Sequence, residues 1–211
     1  MERIIEIVEQ IHQAFEVRNR ARDTALAQAR QLTRYAAHAI RAIHRGEFQL
    51  SAENLEKARQ LVAQLREDLK DFPELYHAGY TQDAIKEFCE AAITSSLIQG
   101  QYLPGPEELN VEYASYMNGM AEVPGELRRK CMDILRQGYS EEAEVLLQAM
   151  DEIYAALVTM DYPDAITNGL RRQTDLVRGI VERTRGDLTI SLREEKLKRA
   201  LEEAMTHFKL E

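Results

Sequence analysis

Apolar residues recur every three to four positions along almost the whole chain, and no stretch alternates apolar with polar residues in the β-branched-rich manner of a strand. The pattern predicts an all-α chain with helices over about residues 2 to 45, 51 to 70, 74 to 99, 106 to 138, 140 to 160, 164 to 185 and 190 to 208. The joints carry their own signals: HRGEF before Ser51, whose SAEN reads as an N-cap, DFPE at 71 to 74, GQYLPGPEE at 100 to 108, QGYSEE at 137 to 142 and DYPDA at 161 to 165. Seven helices with short joints, no fixed-period repeat and no low-complexity linker make a single-domain bundle over residues 1 to 211. Residues 187 to 211 read as a charged amphipathic C-terminal extension that the pattern leaves without a role.

A chain of 211 residues can bury enough surface to fold without metal or disulfide staples. Its two cysteines, Cys89 and Cys131, lie far apart inside apolar helical patterns, which points to buried free thiols in a reducing compartment. There is no charged-then-apolar leader pattern and no apolar run long enough to span a bilayer, so the expected location is the cytoplasm, away from membranes. Charge changes the picture more. The formal net charge is −9, yet the stretch from Arg18 to Arg45 holds seven arginines and one acid, Asp23, and is +6 while the remainder is −15. A basic arm on an acidic body suggests a polyanionic partner held on one face.

On the first helix, at 100° per residue, Arg30, Arg34, His38, Arg41 and Arg45 fall within a stripe of roughly 80°. Ala25, Leu32, Ala36, Ala39 and Ile43 fall opposite them. Such a stripe is either a solvated helix face or a phosphate-binding one. The use of Arg throughout, with no Lys and few acids at i±4, favours the planar fork that suits phosphate.

Acidic residues form two further patterns. Glu87 and Glu90 are three apart, without a base at i+4; Glu122 and Glu126 are four apart in another apolar stretch that also contains Pro124. Like charges at that spacing repel, and an internal proline costs about 3 kcal/mol, so the segment is not built for local stability. The pairs are either ordinary solvated acids or ligands of a hard divalent ion, Mg²⁺ or Mn²⁺, which beside a phosphodiester assists its hydrolysis. A competing metal pattern is Glu9 with His12 and Glu74 with His77, the Glu-x-x-His spacing of di-iron bundles, but both lie near expected helix ends. No Ser-His-Asp or Cys-His set stands out, and GQYLPGP lacks the Lys-Ser/Thr of a P-loop.

The segment AEVPGELRRKCMDILRQGYSEEAEVLLQAMDEIY resembles the hallmark region of the translin superfamily, a Gly-(small/apolar)-Ala-Asp-Leu-Thr-Gly-Glu-Leu-x-Arg helix followed by a turn and a second helix. AIRAIHRGE is similar to the family's basic first helix, FPELYHAGY to its aromatic/His stretch and IVERTRGDL to the Arg-Gly close of its last core helix. The translin-associated factor X branch carries Glu-(aromatic)-x-Glu-Ala on a middle helix, here Glu87-Phe88-Cys89-Glu90-Ala91, and translin proper lacks it. The resemblance therefore implies an Mg²⁺-dependent endoribonuclease with Glu87, Glu90, Glu122 and Glu126 as catalytic metal ligands. Two departures bear on activity: Glu122 stands where the family has Asp, and Pro124 where it has Thr. The resemblance also implies a closed homo-oligomer, usually an octamer, holding RNA or single-stranded DNA on its basic inner face. Arg30, Arg34, His38, Arg41 and Arg45 are the expected RNA contacts, with His77 and Arg129 as further candidates. A non-catalytic shell that binds single-stranded nucleic acid is the alternative.

Overall fold

The computed structural model describes residues 1 to 208, with side chains through Thr206. The last three positions of the expected extension over 187 to 211 lie outside the described residues. Among the described residues every element is helical: α1 (Glu2–His44), α2 (Phe48–Asp68), α3 (Pro73–Tyr76), α4 (Gly79–Ile98), α5 (Pro106–Leu109), α6 (Tyr113–Leu135), α7 (Glu141–Val158), α8 (Asp164–Thr167) and α9 (Leu170–Phe208). The all-α class is as the periodicity predicts, and the boundaries differ where side chains or left-handed residues intervene. The expected helix over 74 to 99 opens between α3 and α4, where Thr81 Oγ1 donates to Leu75 O at 2.9 Å and Gln82 Nε2 to Tyr76 O at 2.9 Å. The one over 106 to 138 is cut by Asn110, which is left-handed at φ 55°. Ser51 is not an N-cap: it lies inside α2, fully buried, and donates to Ala39 O of α1 at 3.1 Å.

The described residues divide into two compact units, with the division falling inside the continuous helix α6. The first comprises Met1–Ser95 and Pro104–Gly119. Here α1 and α2 form a helical hairpin, turned at Gly46 with φ 74°. Small residues on α1 let the helices close up: Ala36, Ala39 and Ile40 cluster with Ala91 of α4, and Leu55 of α2 packs on them. Leu32, Ile43, Leu65, Leu69, Ile85, Phe88 and Ile93 fill the rest of this core. Each such side chain contributes about 2 kcal/mol on removal from water. In contrast, residues 1 to 20 of α1 are exposed throughout, including Ile4, Ile5, Val8, Ile11 and Phe15.

The second unit comprises Ser96–Leu103 and the chain from Met120 onward. Helix α7 starts on Ser140, whose Oγ accepts from Glu142 N at 3.2 Å, with Glu141, Glu142 and Glu144 suiting the positive end of the helix dipole. It packs on α9 through a core of Leu146, Met150, Ile153, Leu157, Val177 and Val181. The break expected near residue 186 does not occur, and α9 runs unbroken past Gly186. A helical glycine costs only about 1 kcal/mol. Buried Leu188 and the Arg128–Asp187 ion pair at 2.8 Å hold the turn in place. The actual stop is one turn after Asp164, at Asn168 and Gly169, with φ 52° and 83°.

Both cysteines are free and fully buried, as expected from their positions. Burial pushes the Cys131 thiol up to about 11 and that of Cys89 further in the same direction. An unfolded thiol ionises near its ordinary 9.0, so the unfolded chain sheds protons first as pH rises. Stability is then fully present below pH 9 and falls as pH rises through 11, by about 1.4 kcal/mol per unit per thiol. Denaturant midpoints across that window should show this fall, with a slope lower by one proton in Cys131→Ala.

Candidate metal centre and basic face

Helix α4 carries Glu87 and Glu90 on one face, with Glu90 only 9% exposed. What permits a second helix to come this close is a glycine. A Cβ on Gly119 of α6 would lie 2.7 Å from Lys86 O, 2.7 Å from Cys89 Cβ and 3.0 Å from Glu90 N. No side chain fits there. Three residues on, one turn along the same helix, is Glu122. One carboxylate oxygen from each of Glu87, Glu90 and Glu122 lies within 4.8 Å of the others.

Carboxylates this close repel one another, and a divalent cation among them turns that cost into attraction. The donors are suitable: all are hard oxygens. Glu122, where the resemblance implies Asp, still brings a carboxylate oxygen to the pair, and α6 runs through Pro124 as one helix.

Glu126 stands outside this group. It lies a further turn along α6 and pairs with Arg129 Nη1 at 3.7 Å. Arg129, expected as an RNA contact, is therefore an exposed residue engaged with that carboxylate. The Glu9/His12 and Glu74/His77 pairs do not enter the metal-capable group among the described residues. Glu74 is instead held by Arg18, and His77 is exposed with its ring edge-on to Tyr76 at 5.2 Å.

The five residues of the α1 stripe, Arg30, Arg34, His38, Arg41 and Arg45, are all exposed, opposite the buried Ala25, Leu32, Ala36, Ala39 and Ile43. Arg30, Arg34 and His38 line an open cavity of about 550 Å³ together with Ala27, Gln31 and Tyr35. Two members escape a reading of α1 by charge alone. Tyr35 receives a hydrogen bond from Gln31 Nε2 at 3.3 Å and lies under the Lys57 ammonium of α2, 5.7 Å from its ring centre. Lys57 reaches the Tyr35 ring from α2, so the charge pattern of α1 does not include it. Arg41 falls in the last turn of α1, where a cation also suits the negative end of the helix dipole.

No protein-family model matches the chain. An uncharacterized protein of Methanocaldococcus jannaschii is 31% identical over 183 residues, which is 85% of this chain and 80% of that protein. Among solved structures, AfC3PO in complex with duplex RNA superposes with a TM-score of 0.82 at 30% identity, covering 89% of this chain and 97% of that one. AfC3PO solved separately gives 0.80 at 28%, with 89% and 97% covered. Apo-NeC3PO gives 0.79 at 20% identity over 87% of this chain and 96% of that one, a likeness of fold. No helix among the described residues is long and apolar enough to cross a membrane.

Proposed function

The chain belongs to the translin superfamily, and from that premise we propose that it is a metal-dependent endoribonuclease working inside a homo-oligomeric shell. RNA is held on the basic face of α1 and hydrolysed at the acidic centre built on α4 and α6. The observation that carries the reading is the convergence of the Glu87, Glu90 and Glu122 oxygens within 4.8 Å. Hard oxygen donors suit Mg²⁺ or Mn²⁺. When bound, such an ion supplies an activated water and neutralises charge on the departing oxygen. Glu87, Glu90 and Glu122 bind and orient it, and Glu126, one turn further along α6 and paired with Arg129, has a lesser part from outside that group. Arg30, Arg34, His38, Arg41 and Arg45 grip phosphates, with Tyr35 and Lys57 lining the same face. His77 and Arg129 are peripheral contacts in this reading.

The duplex RNA bound to AfC3PO, a relative of 30% identity, supports RNA as the polyanion. The exposed Ile4, Ile5, Val8, Ile11 and Phe15 on α1 give a second copy an apolar surface on which to pack, which supports the oligomer, an octamer by family resemblance. The acidic remainder of the chain leaves the shell soluble from outside. The direct test incubates labelled RNA, single-stranded and short duplex, with the protein in Mg²⁺ or in chelator. Cleavage in Mg²⁺ alone is the expected result; RNA bound but never cut would leave the non-catalytic shell as the function.

The basic face has its own test. Arg34→Ala removes one phosphate contact and should weaken RNA binding several-fold while lowering the slope of log affinity against log salt by about 1. An unchanged slope would remove Arg34 from the phosphate site.

A further inference from the structure

Thr94 lies on α4 one turn beyond Glu90 and two beyond Glu87, inside the arc of about 60° that the two carboxylates span at 100° per residue. Its side chain is 0% exposed, and its Oγ1 is buried without a hydrogen-bond partner. Three threonines of α9 behave differently. Thr174, Thr184 and Thr189 each donate to the carbonyl four residues back, at 3.0, 2.8 and 2.7 Å. That back-bond is the nearest one open to a threonine inside a helix. Thr94 makes no such back-bond to the Glu90 carbonyl. Helical side chains lean toward the N-terminus, which sets Thr94 over the turn bearing Glu90. A buried hydroxyl without a partner costs about 1 to 3 kcal/mol, and a valine of the same shape would avoid that cost.

We propose that Thr94 is a positioning residue of the carboxylate centre, whose hydroxyl holds a water at the Glu90 side of the group. The inference rests on reading Glu87, Glu90 and Glu122 as a metal centre. Hard divalent ions retain waters in the positions that protein oxygens leave open. Groups that orient such a centre from outside the ligand shell typically cost 10- to 100-fold in affinity or activity when removed. The hydroxyl thus finds in the loaded protein the partner it lacks without it.

The test is a Mn²⁺ titration, following free Mn²⁺ by its paramagnetic resonance signal, on wild type, Thr94→Val, Thr94→Ala and Thr94→Ser, with melting measured in chelator alongside. Thr94→Val and Thr94→Ala should each bind Mn²⁺ about 10-fold more weakly, and Thr94→Ser should bind as wild type does. In chelator Thr94→Val should melt at or above wild type, because the orphan hydroxyl is gone. Wild-type affinity in Thr94→Val and Thr94→Ala, or a lower melting point for Thr94→Val in chelator, overturns the inference while leaving the metal centre standing. A wild-type protein that binds no Mn²⁺ overturns the metal centre and this inference together.

Discussion

Glu90→Gln is expected to lower Mg²⁺-dependent RNA cleavage by about two to four orders of magnitude while leaving RNA binding on α1 intact. The substitution keeps the size and the helix and removes one charge from a cluster whose members lie within 4.8 Å. The melting temperature in chelator should stay close to that of wild type. Loss of activity with stability kept is the signature of a residue kept for chemistry, since a merely structural carboxylate would lose both. Glu122→Gln should behave in the same way. Glu126→Gln, outside the three-carboxylate group and paired with Arg129, should have the smaller effect. Cleavage assays at saturating RNA, with melting curves on the same samples, read both quantities.

Gly119→Ala is the second large effect, and it reverses the ordinary rule that alanine stabilises a helix. The added Cβ would meet Lys86 O and Cys89 Cβ at 2.7 Å. A backbone carbonyl and a Cβ cannot rotate away, so α4 itself must shift. Overpacking of this kind costs about 1 to 3 kcal/mol, against about 1 kcal/mol regained from helix propensity. Melting should fall by a few degrees for a chain of this length. The shift also parts Glu87 and Glu90 from Glu122, and a displacement of about 1 Å is enough to cost about a hundredfold in rate. Gly186→Ala is the control of opposite sign: a Cβ there has nothing within 4 Å, the site is helical, and the variant should melt higher with unchanged cleavage. Calorimetry on the two variants separates propensity from packing.

The parts of this architecture that were legible in the sequence are those set by a local period. The alternation of Arg30, Arg34 and His38 with Leu32, Ala36 and Ile43 fixes which side of α1 is wet, and the three-residue step from Glu87 to Glu90 puts both acids on one face of α4. What escaped depends on partners distant in sequence. Gly119 reads as a weak point in a helix until α4 is seen pressed against it. Ser51 reads as a cap by its type, yet the Ala39 carbonyl across the hairpin claims its hydroxyl. The Arg-Gly near residue 186 reads as a helix end, but burial of Leu188 and the Arg128 ion pair to Asp187 outweigh the local cost of glycine. Glu126 shares the spacing of a ligand with Glu122, and its place one turn further along keeps it out of the group. Periodicity assigns a residue to a face; only the facing helix decides what that face does.

The most direct measurement is anomalous scattering from crystals soaked in Mn²⁺. One strong peak is expected within about 2.2 Å of a carboxylate oxygen from each of Glu87, Glu90 and Glu122, lost in Glu90→Gln crystals. Diffraction that places no manganese among those three side chains would contradict it.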